Sequence, residues 1–286
     1  GLSHELPRGL KRKNMKSVVT MHDIIYRIYP QYYSSTDRAI YQSKSSHACK
    51  TADRIIAISE STKKDIIEEF KVPPERIEVI YQSCGAHFRN FFEDFDAHFD
   101  FKEKYDLPEK YILYVGSVIE RKKLLETVQA VEKIYGETDL PLVVIGSGKT
   151  YMRRVYQYVL DREIQDRILF RENISYEDLP YIYYGAEVFI YPSEYEGFGI
   201  PVIESQYCAT PVITSALSSL PEVGGPNAYY LDEISSDHIA EKIKEVLSSD
   251  WTREERRKHY KAHLSKFDPE EICRQHQNLY AACLGQ

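Results

Sequence analysis

Short runs of β-branched and other apolar residues recur along the chain and alternate with segments of helical apolar spacing. One such segment, 122–135, places Leu124, Val128 and Val131 on one helical face. Runs that are apolar throughout indicate strands buried on both faces, as in parallel sheets covered by helices. The pattern therefore predicts a doubly wound α/β fold. The predicted strands are SVVTM (17–21), RIIAIS (54–59), IEVIY (77–81), YILYVG (111–116), LVVIG (142–146), ILF (168–170), VFIYP (188–192) and PVIT (211–214).

The alternation is interrupted at RNFFEDFDAHFDFKEKYDLPEK (89–110), which is acidic and aromatic and has no clear period. A new strand follows it, so we place a domain boundary there. Only three strands precede this boundary, too few for a complete Rossmann-like unit. The predicted domains are a partial N-terminal Rossmann-like domain over 1–100, a C-terminal Rossmann-like domain over 101–266 and a C-terminal helix over 267–286.

Composition narrows the function classes. A chain of 286 residues with 43% hydrophobic residues has enough apolar material for two ordinary cores. The net charge of -7 opposes sequence-independent binding of nucleic acid, so local cations must bind any anionic ligand. The five cysteines are scattered and include no C-x-x-C pair, which predicts a reducing, cytoplasmic compartment rather than a disulfide framework or a zinc ribbon. The sequence shows no apolar run long enough for a membrane span.

A group of basic residues lies near the beginning of the chain. Such a group is a candidate for peripheral contact with the anionic inner face of a membrane. We favour a solvated loop, because charges without an adjacent apolar face anchor weakly, and leave the membrane contact as the alternative. The group consists of Arg8, Lys11, Arg12, Lys13 and Lys16.

The stretch PSEYEGFGIPVIE (192–204) joins a predicted strand to a helix through a glycine-rich turn. Ligands of open α/β sheets bind beyond the carboxyl ends of strands, where the N–H groups that begin a helix favour anions. Gly197 and Gly199 allow the backbone itself to approach a ligand. Glu196 lies in the turn and Glu204 one turn into the helix, and carboxylates accept hydrogen bonds from the hydroxyl pairs of a sugar or ribose. The alternative is a surface turn with two solvated acids.

A second candidate site is YVGSVIERKKLLETV (114–128). After the strand and Gly116, a predicted binding residue, Arg121, Lys122 and Lys123 stand at the start of the predicted helix. Cations there are unfavourable by about 0.3 to 1 kcal/mol each, and a broken local rule suggests function. A diphosphate would explain the placement, with Arg121 as a bidentate fork and Lys122 as a point charge. A solvated basic helix end is the alternative.

Taken together, these motifs resemble the retaining glycosyltransferases of family 4, which have the GT-B fold of two Rossmann-like domains. The resemblance covers nearly the whole chain. It implies a glycosyltransferase that moves a sugar from a nucleoside diphosphate-sugar to a saccharide or lipid-linked saccharide acceptor in surface polysaccharide synthesis, without a metal or other cofactor. The motifs are Glu196-x7-Glu204, ATPVITS (209–215), SSLPEVGG (218–225), VGSVIERKK (115–123) and VVTMHD (18–23).

The resemblance also assigns roles to individual residues of the reaction. Arg121 and Lys122 would hold the diphosphate of the donor, and Glu196 would contact the donor sugar. His22, which ends the strand SVVTM, would face that sugar from the first domain.

Further residues would bind parts of the donor. Glu204 would hold the ribose hydroxyls, Phe198 and Gly199 would line the sugar, and Asn173 and Ile174 would pack against the base.

The chain departs from the family pattern in two places. Lys123 stands where the family often has asparagine. Only 21 residues precede His22, far fewer than in the family. We therefore expect a fragment with an intact donor pocket and an incomplete acceptor pocket, in which transfer itself is not assured.

Three other functions stay open at this point. A glycoside hydrolase could use Glu196 and Glu204 as acid and base, but hydrolysis gives Arg121 and Lys122 no role. A non-catalytic nucleotide-sugar-binding fragment and a nucleotide-sugar isomerase would need the same donor pocket.

Three short motifs point elsewhere but are incomplete. LVVIGSGKT (142–150) resembles a P-loop, yet Val143 stands where that motif needs glycine. It also begins a dinucleotide fingerprint, but Tyr151 occupies the third glycine position. Asp94 and Asp96 form a D-x-D pair in the irregular acidic stretch, where we treat them as coincidental and expect no metal.

Overall fold

The computed structural model describes residues 2–7 and 15–285, with the side chains of residues 2 and 3 left out. Four members of the predicted basic group, Arg8, Lys11, Arg12 and Lys13, lie outside the described residues. Lys16 is described, and its Nζ lies 3.8 Å from a carboxylate oxygen of Asp53. Over the described ranges, every helix is too short or too polar to cross a bilayer.

The strands and helices alternate along most of the chain, as predicted. The strands are β1 (Leu2–Ser3), β2 (Val18–Met21), β3 (Arg54–Ala57), β4 (Ile77–Val79), β5 (Ile112–Val115), β6 (Leu142–Ile145), β7 (Ile168–Arg171), β8 (Val188–Tyr191), β9 (Val212–Ser215) and β10 (Tyr229–Leu231). The helices are α1 (Ile25–Ile28), α2 (Ser35–Thr51), α3 (Glu60–Phe70), α4 (Ala86–Arg89), α5 (Phe101–Tyr105), α6 (Leu124–Lys133), α7 (Thr150–Asp161), α8 (Leu179–Gly185), α9 (Ile200–Tyr207), α10 (Leu220–Gly224), α11 (Ser236–Leu247), α12 (Arg253–Leu264) and α13 (Pro269–Leu284).

The described strands form two parallel sheets, one ordered β1-β2-β3-β4 and the other β10-β9-β8-β5-β6-β7. All eight predicted strands are present within a residue or two of their predicted bounds. The pattern missed the two-residue strand β1, which pairs with β2 as a fourth strand of the first sheet. It also missed β10, a three-residue edge strand that pairs with β9 and is half exposed at two of its positions. Such a strand lacks the continuous apolar run by which the others were found.

The chain divides into two compact units whose boundaries differ from the predicted domains. The first unit comprises Gly1–Ser83, Tyr195–Gly199 and Lys266–Gln286. The second comprises Cys84–Glu194 and Ile200–Ser265.

The acidic aromatic stretch, where the sequence places the boundary, belongs to the second unit because its rings pack there. The Phe91 ring lies 5.1 Å from that of Tyr181, and the Phe95 ring lies 5.5 Å from the same tyrosine.

The first unit is built around the strands β2 and β3. Val19 and Ile55 are fully buried in its core. Helix α13 begins at Pro269, two residues after the predicted start of the C-terminal helix, and the Asp268 side chain accepts a hydrogen bond from the Glu270 N–H. The second core of this unit joins Leu279 of α13 to strand β3.

The second unit has a larger core. Every residue of β5, β6 and β8 is buried, as the continuous apolar runs predict for strands covered on both faces. Helices α6 and α11 pack together, with Leu124, Val128 and Ile239 fully buried. This rigid core fixes the loops that leave the carboxyl ends of the strands.

Candidate functional site

The strand order of the second unit reverses at β5. This strand pairs with β6 on one side and with β8 on the other, so consecutive crossovers proceed in opposite directions from it. In open parallel sheets, the crevice beyond the carboxyl ends at such a point is where ligands bind. The segments that follow β5 and β8 therefore mark the expected site in this unit.

The basic residues after β5 lie before the helix and not in its first turn. Glu120–Lys122 forms a single 3-10 turn, and α6 begins at Leu124, two residues after the predicted start. Lys123 joins the two with a left-handed φ of 52°, and its Nζ lies 2.8 Å from a carboxylate oxygen of Glu194. Arg121 and Lys122 therefore belong to the 3-10 turn, whereas Lys123 follows it.

Hydrogen bonds attach this turn to the end of β8 and to the segment that follows it. The guanidinium of Arg121, which is 8% exposed, donates through Nη1 to Ser193 Oγ at 3.0 Å. The Arg121 carbonyl accepts from the Glu194 N–H at 3.0 Å. Lys122 Nζ donates to the Tyr191 hydroxyl at 2.7 Å and lies 4.7 Å from the centre of that ring. Both of these acceptors are neutral hydroxyls, which help to orient the two cations.

The glycines of the P-loop-like stretch are explained by packing. A Cβ at Gly146 would lie 1.9 Å from the Gly116 carbonyl oxygen, and one at Gly148 would lie 2.2 Å from the Val118 carbonyl oxygen. The loops after β5 and β6 therefore run against each other with no room for a side chain. At Gly116 a Cβ would lie 3.5 Å from Lys122 Nζ, which places this glycine next to the predicted diphosphate contact.

Glu204 lies in α9 and is 4% exposed. Its carboxylate accepts hydrogen bonds from two tyrosine hydroxyls, Tyr176 at 3.2 Å and Tyr183 at 3.2 Å. Burial raises the pKa of Glu204 to about 7, although the two hydroxyls act to lower it. Tyr183 is fully buried, whereas Tyr176 is 48% exposed. An incoming hydroxyl can therefore replace Tyr176 on this carboxylate more readily than it can replace Tyr183.

The loop predicted to contact the base lies just before Tyr176. It follows β7, with Asn173 exposed in the left-handed region at a φ of 58° and Ile174 half-buried. Because Tyr176 comes two residues later and bonds Glu204, this loop and α9 meet at the buried carboxylate. Sequence reasoning missed both tyrosines, because no local pattern links either of them to Glu204.

The turn that carries Glu196 belongs to the first unit. Glu196 is half-buried, and a Cβ at its neighbour Gly197 would lie 1.9 Å from the His22 carbonyl oxygen. The Phe198 ring is 3% exposed and packs against Tyr81 at 5.9 Å, so this ring is part of the core. Gly199 is buried with a φ of +121°, a conformation that favours glycine.

His22 directly follows β2, as predicted. Its ring stacks on that of His4 with 5.2 Å between centres, and its Nδ1 lies 3.4 Å from Gln82 Nε2. Burial lowers the pKa of His22, with a further lowering from His4. Its imidazole is therefore mainly neutral at neutral pH.

The D-x-D pair lies in an exposed loop of the second unit. Asp96 Oδ1 accepts a hydrogen bond from the His98 N–H at 2.9 Å within that loop. Across the part of the chain that the structure describes, no three His, Cys, Asp or Glu side chains are grouped as metal ligands would be.

Comparison with known proteins gives matches along both units. The model of the family named glycosyl transferases group 1 matches residues 96–263, and the model of glycosyltransferase family 4 matches residues 2–83. The predicted family resemblance is therefore confirmed.

Individual relatives agree with these family matches. The chain is 32% identical over 260 residues to O-antigen chain mannosyltransferase B of Escherichia coli, covering 89% of this chain and 66% of the relative. It is 28% identical over 228 residues to O-antigen chain mannosyltransferase RfbU of Salmonella typhimurium, covering 80% of this chain and 60% of the relative. The chain thus spans less than two thirds of the length of either.

Among solved structures, HepE of Anabaena in complex with UDP and glucose is similar, with a TM-score of 0.75 and 15% identity. The similarity covers 95% of this chain and 73% of HepE. At this identity the likeness concerns the fold alone, and it confirms the predicted α/β fold of GT-B type with parallel sheets.

Proposed function

The chain belongs to the glycosyl transferases group 1 family, and we propose that it contains the donor-binding part of a retaining glycosyltransferase of polysaccharide synthesis. The donor is a nucleoside diphosphate-sugar, and the acceptor is a hydroxyl of a saccharide or lipid-linked saccharide. Mannose is the proposed sugar, because the relatives are named mannosyltransferases.

One observation carries this proposal. Arg121 and Lys122, on the turn after β5, are both bonded to residues at the end of β8, so two oriented cations stand where the strand order reverses. A guanidinium fork next to an ammonium group suits the oxygens of a diphosphate. In the same unit, the buried carboxylate of Glu204 suits a pair of ribose hydroxyls.

In the proposed reaction, the bond between the anomeric carbon and the diphosphate oxygen breaks, and the acceptor oxygen bonds to that carbon on the same face. The acceptor proton passes to an oxygen of the departing diphosphate. Arg121 and Lys122 stabilise the negative charge that develops there, which is commonly the largest contribution to the rate. Glu196 contacts the donor sugar, and no metal is required.

Thermal denaturation with nucleotides tests the binding step. GDP, GDP-mannose, UDP and UDP-glucose are added separately, and one nucleoside diphosphate and its sugar conjugate should raise the melting temperature. At a hundredfold excess over the dissociation constant, the added stability is about 2.7 kcal/mol. No shift with any of the four, nor with ADP-glucose, would contradict the proposal.

Hydrolysis remains the second candidate, because the pKa of Glu204 near 7 is a property of the acid in a glycoside hydrolase. Release of sugar from a simple aryl glycoside without nucleotide would favour that function. Binding of a nucleotide-sugar with no transfer to any saccharide acceptor would instead indicate a non-catalytic binding fragment.

A further inference from the structure

The turn Tyr195–Gly199 is attached to the N-terminal end of α3 within the first unit. Ser59 Oγ donates to the Gly197 carbonyl oxygen at 2.7 Å, and Thr62 Oγ1 donates to the same oxygen at 3.2 Å. Ser59 and Thr62 are fully buried. One carbonyl oxygen can accept both bonds through its two lone pairs, so two dry hydroxyls hold a single peptide of the turn.

A second attachment lies on the other side of Glu196. The hydroxyl of Tyr195, which is 5% exposed, donates to the carboxylate of Asp65. Asp65 stands three positions after Thr62 in α3, a spacing that places both on one face of the helix. The turn is therefore held at the residue before Glu196 and at the residue after it.

A third contact leaves no room for a side chain at Gly197. The Gly197 peptide lies so close to the His22 carbonyl that a Cβ would approach its oxygen to 1.9 Å. Thr62 Oγ1 also lies 3.4 Å from that oxygen. The ends of β2 and β3 and the start of α3 thus enclose the peptide that follows Glu196.

We propose that Ser59, Thr62 and Asp65 are positioning residues that fix the backbone on both sides of Glu196 and so determine how its carboxylate meets the donor sugar. This inference rests on the proposed function, in which Glu196 contacts the sugar while Arg121, Lys122 and Glu204 bind the nucleotide part. A displacement of about 1 Å in such a group can lower turnover by about 100-fold.

The test must distinguish this positioning role from a purely structural role of the same residues. Ser59 also caps α3, because its Oγ accepts from the Thr62 N–H at 3.0 Å. Ser34 caps α2 of the same unit in the same way, accepting from the Asp37 N–H at 3.1 Å. Ser34→Ala therefore reproduces the loss of a cap without touching the turn. Thr62→Val removes a hydroxyl at nearly constant volume, and Thr62→Ser retains it.

The experiment measures dissociation constants by calorimetry for GDP, GDP-mannose, UDP and UDP-glucose with wild-type protein, Ser59→Ala, Thr62→Val, Thr62→Ser and Ser34→Ala. We expect Ser59→Ala and Thr62→Val to bind the effective nucleoside diphosphate within about twofold of wild type. Their affinity for the corresponding sugar nucleotide should fall about tenfold relative to that of the diphosphate. Thr62→Ser and Ser34→Ala should keep the wild-type ratio.

Tyr195→Phe provides an independent variant should Ser59→Ala fail to fold, and it should show the same selective loss. Unchanged ratios in Thr62→Val and Tyr195→Phe would overturn the inference, as would an equal loss for the diphosphate and its sugar conjugate. These outcomes leave the proposed function intact, because wild type still binds both ligands. Wild-type protein that binds none of the four probes, nor ADP-glucose, would refute the proposed function, and the inference with it.

Discussion

Glu196 and Glu204 stand eight positions apart in one motif but occupy different surroundings. Glu204 belongs to the second unit, on a helix, and is 4% exposed with two tyrosine hydroxyls on its carboxylate. Glu196 belongs to the first unit, on a turn, and is half-buried. The residues on either side of the turn, Glu194 and Ile200, both belong to the second unit. The chain therefore enters the first unit only for the turn Tyr195–Gly199 and returns to the second before Glu204.

This contrast distinguishes the two carboxylates that lie on either side of the glycine-rich turn. Hydroxyls of α3 hold the peptide next to the first carboxylate. The second carboxylate accepts two side-chain hydrogen bonds in a dry site, and its burial raises its pKa to about 7. The motif thus supplies two different acids, and each of the following changes affects one region more than the other.

The largest effect is expected at the basic turn of the second unit. Arg121→Ala and Lys122→Ala should each lower turnover by about 10² to 10³ in transfer-active protein, because each removes a cation from the departing diphosphate. Steady-state assays at saturating donor measure the loss. Lys133→Ala is the matched control, since it removes one charge from an exposed ion pair with Asp237 and should keep wild-type turnover. Wild-type turnover in Arg121→Ala and Lys122→Ala would refute their roles.

A pH-dependent effect is expected at Glu204. Its pKa lies at about 7 in the folded protein against 4.5 for an ordinary carboxyl, so the folded state retains a proton that the unfolded chain loses between these values. The stability that Glu204 contributes is thus fully present below pH 4.5 and is lost as the pH rises to about 7. Relative to Glu204→Gln, the wild-type free energy of unfolding should fall by about 3 kcal/mol across this range.

Urea denaturation of both proteins at a series of pH values measures this difference. A constant difference between wild type and Glu204→Gln from pH 4.5 to 7 would show that the carboxyl titrates normally. Calorimetry over the same range adds a ligand test. Binding of the nucleoside diphosphate should tighten with rising pH more in wild type than in Glu204→Gln, because hydroxyl donors favour the ionised carboxylate.

Two glycine substitutions, one in each region, introduce comparable steric clashes and so test the two regions separately. Gly197→Ala should displace the turn of the first unit, and Gly146→Ala should displace the loops of the second, since each Cβ would lie 1.9 Å from a carbonyl oxygen. Strain of this kind typically costs about 1 to 3 kcal/mol. Gly197→Ala should weaken sugar-nucleotide binding about tenfold with little change for the diphosphate, whereas Gly146→Ala should weaken both. If calorimetry showed that both variants weaken binding of the diphosphate and of the sugar nucleotide to the same extent, the proposed difference between the two regions would be wrong.

The smallest effect is expected from the hydroxyls on Glu204. Tyr176→Phe and Tyr183→Phe each remove one hydrogen bond to the carboxylate, worth about 1 kcal/mol. Since both hydroxyls act to lower the pKa of Glu204, both variants should raise it. NMR titration of the labelled carboxyl carbon measures the shift. The same or a lower pKa in both variants would contradict the assigned contacts.

The sequence predicted the parts of the molecule that depend on local pattern. The eight strands followed from continuous apolar runs, and the C-terminal helix was placed within two residues of its observed start. Ser59 directly precedes a helical segment, where serine is a favoured cap, and it caps α3. These features depend on residues that are close together in the chain, where spacing and propensity are informative.

Other features depend on contacts between distant residues. Tyr176 and Tyr183 bond Glu204 from positions 28 and 21 residues away, and no spacing rule indicates such a bond. The second bond of Ser59, to Gly197, spans 138 residues. Sequence reasoning could name the cap but not the turn that it also holds.

A crystal structure of the chain with the nucleoside diphosphate that raises its melting temperature most tests the central claim directly. The account predicts diphosphate oxygens within hydrogen-bonding distance of Arg121 Nη and Lys122 Nζ, and ribose hydroxyls on the Glu204 carboxylate in place of the Tyr176 hydroxyl. A nucleotide bound elsewhere, with Arg121 still bonded to Ser193 and Tyr176 still on Glu204, would contradict it.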